Sequence, residues 1–238
     1  MDRRVVEASS QAASVLGSRT LGHGEIHVWR VRLGRGRDVC RAFERTLSAE
    51  EQKRVKRHFH RDDRERFVLT RCMVRDVLGR CLETDPTELR FMLEARGKPA
   101  LAGKWSWLRF NVSHSGELCL VAVAAAEVGV DVELIRDVDV NLLARRAFPG
   151  NGPQPFVEDA DERRRMFFAR WTRQEACLKA HGAGLAGLSR LHCPQADRYS
   201  VVDLPLEDGY AAAVAYTAGS LSRVVVRTWP ACRLFSSR

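Results

Sequence analysis

Leu118-Cys119-Leu120-Val121-Ala122-Val123-Ala124-Ala125-Ala126-Glu127-Val128-Gly129-Val130-Asp131-Val132-Glu133 holds two extended segments with one short break between them. The first, Leu118 to Ala125, is apolar at every position, the pattern of a strand covered on both faces at the middle of a sheet. The second, Val128 to Glu133, carries Asp131 and Glu133 two apart, so both carboxylates point to one side while Val130, Val132 and Leu134 face the other. The junction at Ala126 to Val128 has no flexible linker, so the parts on either side pack closely. Outward from it the chain echoes itself. Asp62-Asp63-Arg64-Glu65-Arg66-Phe67 and Asp161-Glu162-Arg163-Arg164-Arg165-Met166 each open a long helix that precedes a set of strands. Two successive helix-then-strands units describe an α+β protein of two similar lobes, residues 1–127 and 128–238.

The remaining elements follow from local chemistry. Glu25 to Leu33 alternates apolar and polar, a strand with one buried face. Leu47 to Arg80 is helical: Ser48 and Glu51 form a capping-box start, a basic stretch follows, and Phe67, Cys72, Val74, Val77 and Leu78 mark a core face. Thr84-Asp85-Pro86 starts a short element, Leu89 to Leu93 reads as a strand, and Gly97-Lys98-Pro99 as a turn. Arg109 to Ser113 is a strand running into Ser115-Gly116. A helical region spans Leu142 to Phe148, before the breaker-rich loop Pro149 to Pro155. The longest helix runs from Asp159 to about Ala180 and ends at Gly182 and Gly184. Strands are expected near Tyr199 to Val202, Tyr210 to Tyr216 and Val224 to Trp229.

Composition narrows the class. The 238 residues are 45% hydrophobic and 29% charged, the profile of a folded chain. The longest apolar run, Leu118 to Ala126, is nine residues and too short to cross a bilayer. Met1-Asp2-Arg3-Arg4 leads into no hydrophobic region or cleavage site, so a cytoplasmic protein is expected. The 39 Lys and Arg against 30 Asp and Glu leave a net charge of +9, which favours an anionic partner. Only Lys53, Lys56, Lys98, Lys104 and Lys179 are lysines; an excess of arginine beside abundant Ala, Val and Gly has the look of a GC-rich genome. The seven cysteines are scattered with no Cys-x-x-Cys pair, which speaks against structural zinc and a disulfide framework and for small core residues.

Four groups of residues carry potential chemistry. Asp131 and Glu133 side by side repel unless a cation lies between them, and Mg²⁺ suits such oxygen ligands; the plain alternative is a solvated strand face. Glu175 and Lys179, four apart on the long helix, share a face with each other and lie near Trp171, as an ordinary helix ion pair also would. In Asn111-Val112-Ser113-His114-Ser115-Gly116 the neighbours Ser113 and His114 point to opposite faces and so do not form a nucleophile pair. His114 is then a donor to an anion or a satisfied structural histidine. The run Lys53, Arg54, Lys56, Arg57, Arg61, Arg64 and Arg66 is broken by Asp62, Asp63 and Glu65, with Phe59 and Phe67 interleaved. A solvated helix face is the plain reading of such a run, and a basic nucleic-acid-binding module is the alternative for the protein.

Taken together the fragments resemble the 4′-phosphopantetheinyl transferases. Val128-Gly129-Val130-Asp131-Val132-Glu133, followed about forty residues on by Trp171-Thr172-Arg173-Gln174-Glu175-Ala176-Cys177-Leu178-Lys179, is similar to that family's signature. Asn111 to Gly116 and Arg96-Gly97-Lys98-Pro99 resemble two further motifs in the right order. The spacing resembles the surfactin-type branch, whose fold is two similar lobes related by a pseudo-twofold axis. One position departs: Gln174 stands where the family usually has Lys, which keeps open a member that binds CoA without transferring. The resemblance implies transfer of the phosphopantetheine arm of coenzyme A to a serine of an apo acyl or peptidyl carrier protein, with release of 3′,5′-ADP. It implies Mg²⁺, with Mn²⁺ as the alternative, on Asp131, Glu133 and Glu175, and Glu175 and Lys179 as the catalytic pair. It places Arg54, Arg66, Lys98, Ser113, His114 and Lys179 on CoA, the nucleotide contacts in the first lobe. A monomer is expected, with neither nucleic acid nor membrane as partner.

Overall fold

The computed structural model describes residues 5–7, 21–22, 24–33, 47–57, 60–148, 157–182, 196–220 and 223–229. The expected loop Pro149 to Pro155, Phe59 and Gly184 lie outside these residues, as do Cys40, Cys193 and Cys232. Along the chain the elements are β1 (Val5–Glu7), β2 (Glu25–Arg32), α1 (Ala49–Val55), α2 (Arg61–Leu82), β3 (Phe91–Leu93), β4 (Pro99–Leu101), β5 (Arg109–Ser115), β6 (Leu118–Ala124) and β7 (Val128–Leu134). Then come α3 (Val140–Ala147), α4 (Ala160–His181), β8 (Tyr199–Asp203), β9 (Tyr210–Thr217) and β10 (Arg223–Thr228).

All seven residues of β6 are buried, as an apolar strand with two covered faces must be. It lies between β2 and β5 in a five-stranded sheet of order β1-β10-β2-β6-β5. One face, with Cys119, Val121, Val123, Trp29 and Phe110, packs under Val68, Met73, Val77 and Leu78 of α2. The other, with Leu120, Ala122, Ile26 and Val28, packs on Val128, Val130 and Val132 of β7 and Val214 of β9. The second sheet, ordered β7-β9-β8, carries α4 on its far face through Ala176, Cys177 and Ala180. The layers therefore run helix, sheet, sheet, helix, and the two lobes share the apolar core between their sheets. Each buried Val, Leu or Ile there contributes about 1.5–3 kcal/mol. This is an α+β fold of two lobes, as the pattern predicts.

Local signals set most boundaries. Ser48 and Glu51 make the reciprocal capping box on α1, at 3.2 and 2.9 Å. The helical stretch expected from Leu47 to Arg80 is two helices, because α1 ends at the Lys56 cap and α2 starts anew after His60. Asp159 caps α4 by accepting from the backbone N–H of Asp161 and Glu162, and Gly182 ends it at φ +75°. The strand expected over Leu89 to Leu93 is the shorter β3, paired with β4 around Gly97 at φ +82°. Val5–Glu7 forms a strand that the opening stretch did not announce. The three strands at the end of the chain divide: β8 and β9 stay beside β7, whereas β10 crosses to the first sheet and pairs in parallel with β2. Trp229, just after β10, donates its indole N–H to Asp76 of α2 at 2.7 Å. The four described cysteines, Cys72, Cys81, Cys119 and Cys177, are buried thiols outside any disulfide; burial pushes the Cys81 and Cys119 thiols up to about 12, as inert core groups.

Candidate active site

Gly129 sets the geometry of the site. A Cβ there would lie 2.1 Å from the Ala176 carbonyl oxygen and 2.3 Å from the Ala180 nitrogen, so α4 rests directly on the backbone of β7. Ala176 and Ala180 on the helix keep the contact short from the other side. Asp131 and Glu133 stand on the same face of β7 as Gly129, and Glu175 and Lys179 come down to them from α4. The Lys179 ammonium donates to Asp131 Oδ1 at 2.5 Å and to Ser113 Oγ at 2.9 Å, with Ser113 supplied by β5 of the first lobe. Ser113 in turn donates to Asp131 Oδ1 at 2.9 Å. Trp171 serves the frame: it stacks on Phe167 at 6.3 Å and meets Phe148 edge-on at 6.5 Å.

Lys179 pairs with Asp131, and Glu133 and Glu175 lie close enough for their charges to act on the site. Burial pushes the Asp131 carboxyl up, with Lys179 and Ser113 pulling it back. Burial also raises Glu175, and the charges of Asp131 and Glu133 raise it further against the opposing pull of Lys179. Asp131 is 3% exposed, and its Oδ2 is buried with no hydrogen-bond partner among the described residues. Glu133 Oε2 accepts from Ser115 Oγ at 2.8 Å. Among the described residues no group of three acidic, His or Cys side chains is drawn tightly enough to cage a metal; the Lys179 ammonium is the cation on Asp131.

The other expected residues separate into two sets. His114 is exposed at the rim on the α2 side of β5, yet the surrounding protein desolvates it and holds its imidazole below the ordinary value, with Lys179 and Arg66 adding to the effect. Arg66 and Arg54 are exposed on α2 and α1. Beside Arg54 lies Arg71, which the sequence pattern did not single out; burial lowers its guanidinium, opposed by Glu51 and reinforced by Arg54 and Arg75. Arg71 stands between Thr70 and Cys72, beyond the basic run that ends at Arg66, and no local signal marks it. Lys98 does not join this cationic rim. It is 8% exposed, and its ammonium donates to Glu127 Oε2 at 3.1 Å, the Val128 carbonyl at 3.1 Å and the Ala180 carbonyl at 2.9 Å. All three ammonium hydrogens are thereby engaged.

Two matches with known proteins decide what this site belongs to. Residues 37–127 match the family described as 4′-phosphopantetheinyl transferase, N-terminal, and residues 127–215 the 4′-phosphopantetheinyl transferase superfamily. The chain is 34% identical over 211 residues to the 4′-phosphopantetheinyl transferase HetI of Nostoc sp., covering 82% of this chain and 89% of HetI. It belongs to the 4′-phosphopantetheinyl transferase family. It is also 27% identical over 144 residues to the 4′-phosphopantetheinyl transferase Sfp of Bacillus subtilis, which covers 60% of this chain and 64% of Sfp. With psf-1 of Bacillus pumilus it shares 33% over 129 residues, 53% of this chain and 54% of the relative.

The protein is thus a transferase, and the matched regions take in both β5 and the β7–α4 pair that face each other across the lobe boundary. Among the described residues no helix is long and apolar enough to cross a membrane. In this phosphopantetheinyl transferase the groups suited to chemistry are the buried Asp131 carboxylate with one oxygen unpartnered among the described residues, the carboxylates of Glu133 and Glu175, the Lys179 ammonium shared between Asp131 and Ser113, and a rim that brings His114 near Arg66.

Proposed function

We propose that the protein transfers the 4′-phosphopantetheine arm of coenzyme A to a serine hydroxyl of an apo acyl or peptidyl carrier protein, releasing 3′,5′-ADP. The observation that supports this reading is Asp131 at the lobe boundary, bonded to Lys179, its second oxygen buried without a partner among the described residues and the charges of Glu133 and Glu175 acting beside it. Three carboxylates against one ammonium are a hard-oxygen set whose excess negative charge a divalent cation offsets. Asp131, Glu133 and Glu175 would hold Mg²⁺, with Mn²⁺ as the alternative. When bound, the metal neutralises charge on the attacked and leaving phosphates.

The residues of the chain supply the rest. The serine oxygen forms a bond to the phosphorus that bears the pantetheine arm, and the bond from that phosphorus to the oxygen of 3′,5′-ADP breaks. The serine proton passes to the Glu175 carboxylate, whose raised pKa makes it a better proton acceptor than an ordinary glutamate. Lys179 counters the charge that grows on the phosphate oxygens. Ser113 holds Lys179 and lies at the pyrophosphate end, and His114 takes the 3′-phosphate, where Arg66 adds charge. Arg54 lies on the nucleotide side, and Lys98 borders it from the β3–β4 turn, with its ammonium held inside the protein.

Incubation with CoA, Mg²⁺ and apo carrier domains of fatty-acid, polyketide and nonribosomal-peptide type, followed by mass spectrometry, tests this directly. One phosphopantetheine adduct on the carrier serine is expected; no adduct on any carrier overturns the reading. Asp131→Ala and Glu175→Ala should fold normally and lose activity by about 1000-fold, the scale of removing a principal charge-stabilising group. Full activity in both removes the site.

A further inference from the structure

The lobes meet where two sheet edges run side by side, β5 closing the first sheet and β7 the second. An edge strand presents unpaired backbone N–H groups that must find partners when buried. Here the partners are side chains. The backbone N–H of Val130 donates to Asn111 Oδ1 at 2.9 Å, that of Val132 to Ser113 Oγ at 3.3 Å, and that of Leu134 to Ser115 Oγ at 3.1 Å. Each bond spans nineteen residues of sequence, so the two strands run parallel in a single register. Alternate residues of β5 thus zip alternate N–H groups of β7, with side chains in place of a backbone ladder.

The same hydroxyls do a second thing. A serine hydroxyl has one hydrogen to give and two lone pairs to accept with. Ser113 donates to Asp131 Oδ1 at 2.9 Å and Ser115 to Glu133 Oε2 at 2.8 Å. Each serine therefore accepts from the N–H of one β7 residue and donates to the carboxylate of the residue before it. A shift of one residue between the lobes would break both sets of bonds together.

We propose that Ser115 is a positioning residue: through its bonds to the Leu134 N–H and the Glu133 carboxylate it sets the orientation of Glu133 for the metal, within a seam of Asn111, Ser113 and Ser115 that holds the register between the lobes. The inference rests on the metal role proposed above for Glu133. Groups that orient a metal ligand typically change metal affinity by 10–100-fold when removed. Mn²⁺ is titrated into the full-length protein in the presence of CoA and followed by electron paramagnetic resonance, beside the thermal melt and the kinetics. Ser115→Ala should weaken Mn²⁺ by about tenfold and lower kcat by about tenfold, with the KM for CoA within about twofold. Ser115→Thr, which keeps the hydroxyl, should restore Mn²⁺ affinity to within about threefold of the wild type. Where Ser115→Ala melts too low to titrate, Ser115→Cys keeps the volume but offers only a weak donor and should show the same loss. Unchanged Mn²⁺ affinity in the alanine or cysteine variant overturns the inference alone, as does a threonine variant as weak as alanine. A wild type that binds no Mn²⁺ beside CoA overturns the metal reading and the inference with it, and a wild type that modifies no carrier overturns the function while leaving the Mn²⁺ comparison readable.

Discussion

Helices α2 and α4 are both 22 residues long, both open on acidic residues followed by arginines, and each covers the outer face of a sheet. They are packed on different terms. α2 presses Val68, Met73, Val77 and Leu78 into the first sheet and keeps its distance by the bulk of those side chains. α4 lies backbone to backbone on β7, through Ala176, Ala180 and Gly129. Their buried charges differ in the same way. Arg75 of α2 is 2% exposed and answered on each guanidinium nitrogen: Glu51 Oε2 accepts from its Nε and Nη2 at 2.9 and 2.8 Å, and the carbonyls of Pro86 and Leu89 accept from Nη1. On α4, Glu175 and Lys179 are left half-buried among charges that only partly cancel. One helix is used for stability. The other trades bulk for proximity and brings reactive groups to within hydrogen-bond range of a neighbouring strand.

The contrast can be broken at Gly129. Gly129→Ala should drive α4 off β7 and reduce turnover by about 100-fold or more, because misplacing reactive groups by an ångström costs on that scale. A variant that folds and turns over normally would show that close approach is not what assembles the site. On the other helix, Leu78→Ala should lower the free energy of unfolding by about 2–5 kcal/mol in a urea titration, with kcat of the folded enzyme unchanged. A fall in kcat matching that of Gly129→Ala would erase the division of labour. Lys98→Met tests the tie between the lobes: taking the donor away from the Val128 and Ala180 carbonyls, while Glu127 keeps its pair with Arg109, should cost about 1–3 kcal/mol. CoA affinity measured on the same variant should move less than about twofold; a larger change would return that side chain to the nucleotide.

The smallest expected effect belongs to the rim. The His114 pKa lies below 6.5 in the protein, so the imidazole is neutral at pH 7, and the stability it contributes is present above pH 6.5 and lost as pH falls through the depressed value. A phosphate beside the ring favours the imidazolium and raises that pKa. CoA binding near pH 6.5 should therefore take up a fraction of a proton, and affinity should fall severalfold as pH rises. Isothermal titration in two buffers of different ionisation enthalpy measures the uptake. His114→Ala should abolish its share; an unchanged uptake in that variant takes His114 out of the phosphate site.

Much of the frame is legible in the sequence, and for identifiable reasons. Asp159 and Gly182 bound α4 because caps act within one turn, and Leu118 to Ala124 reads as a central strand because no polar residue interrupts it. Asp131 and Glu133 share a side of β7 by the two-residue period alone. The destination of β10 was not legible, since a run of valines states that both faces are covered and not by which neighbour. Lys98 sits in a Gly-Lys-Pro turn, chemistry that ordinarily puts a lysine in water; only the end of α4 closing over that turn buries it. The strand expected to end at Ser113 runs on to Ser115, and nothing local says that an edge strand from the other lobe lies opposite that residue.

Periodicity, caps and the spacing from Asp131 to Glu175 and Lys179 are properties of neighbouring residues, and the amino-acid sequence alone determined them: two lobes, the faces their polar residues take, and the family they resemble. Tertiary structure alone decided which atoms meet. The Lys179 bond to Asp131, the serine seam between β5 and β7 and the burial of Lys98 all join positions far apart in the chain. Such contacts depend on how closely two backbones approach, and at Gly129 that approach is set by a side chain that is not there.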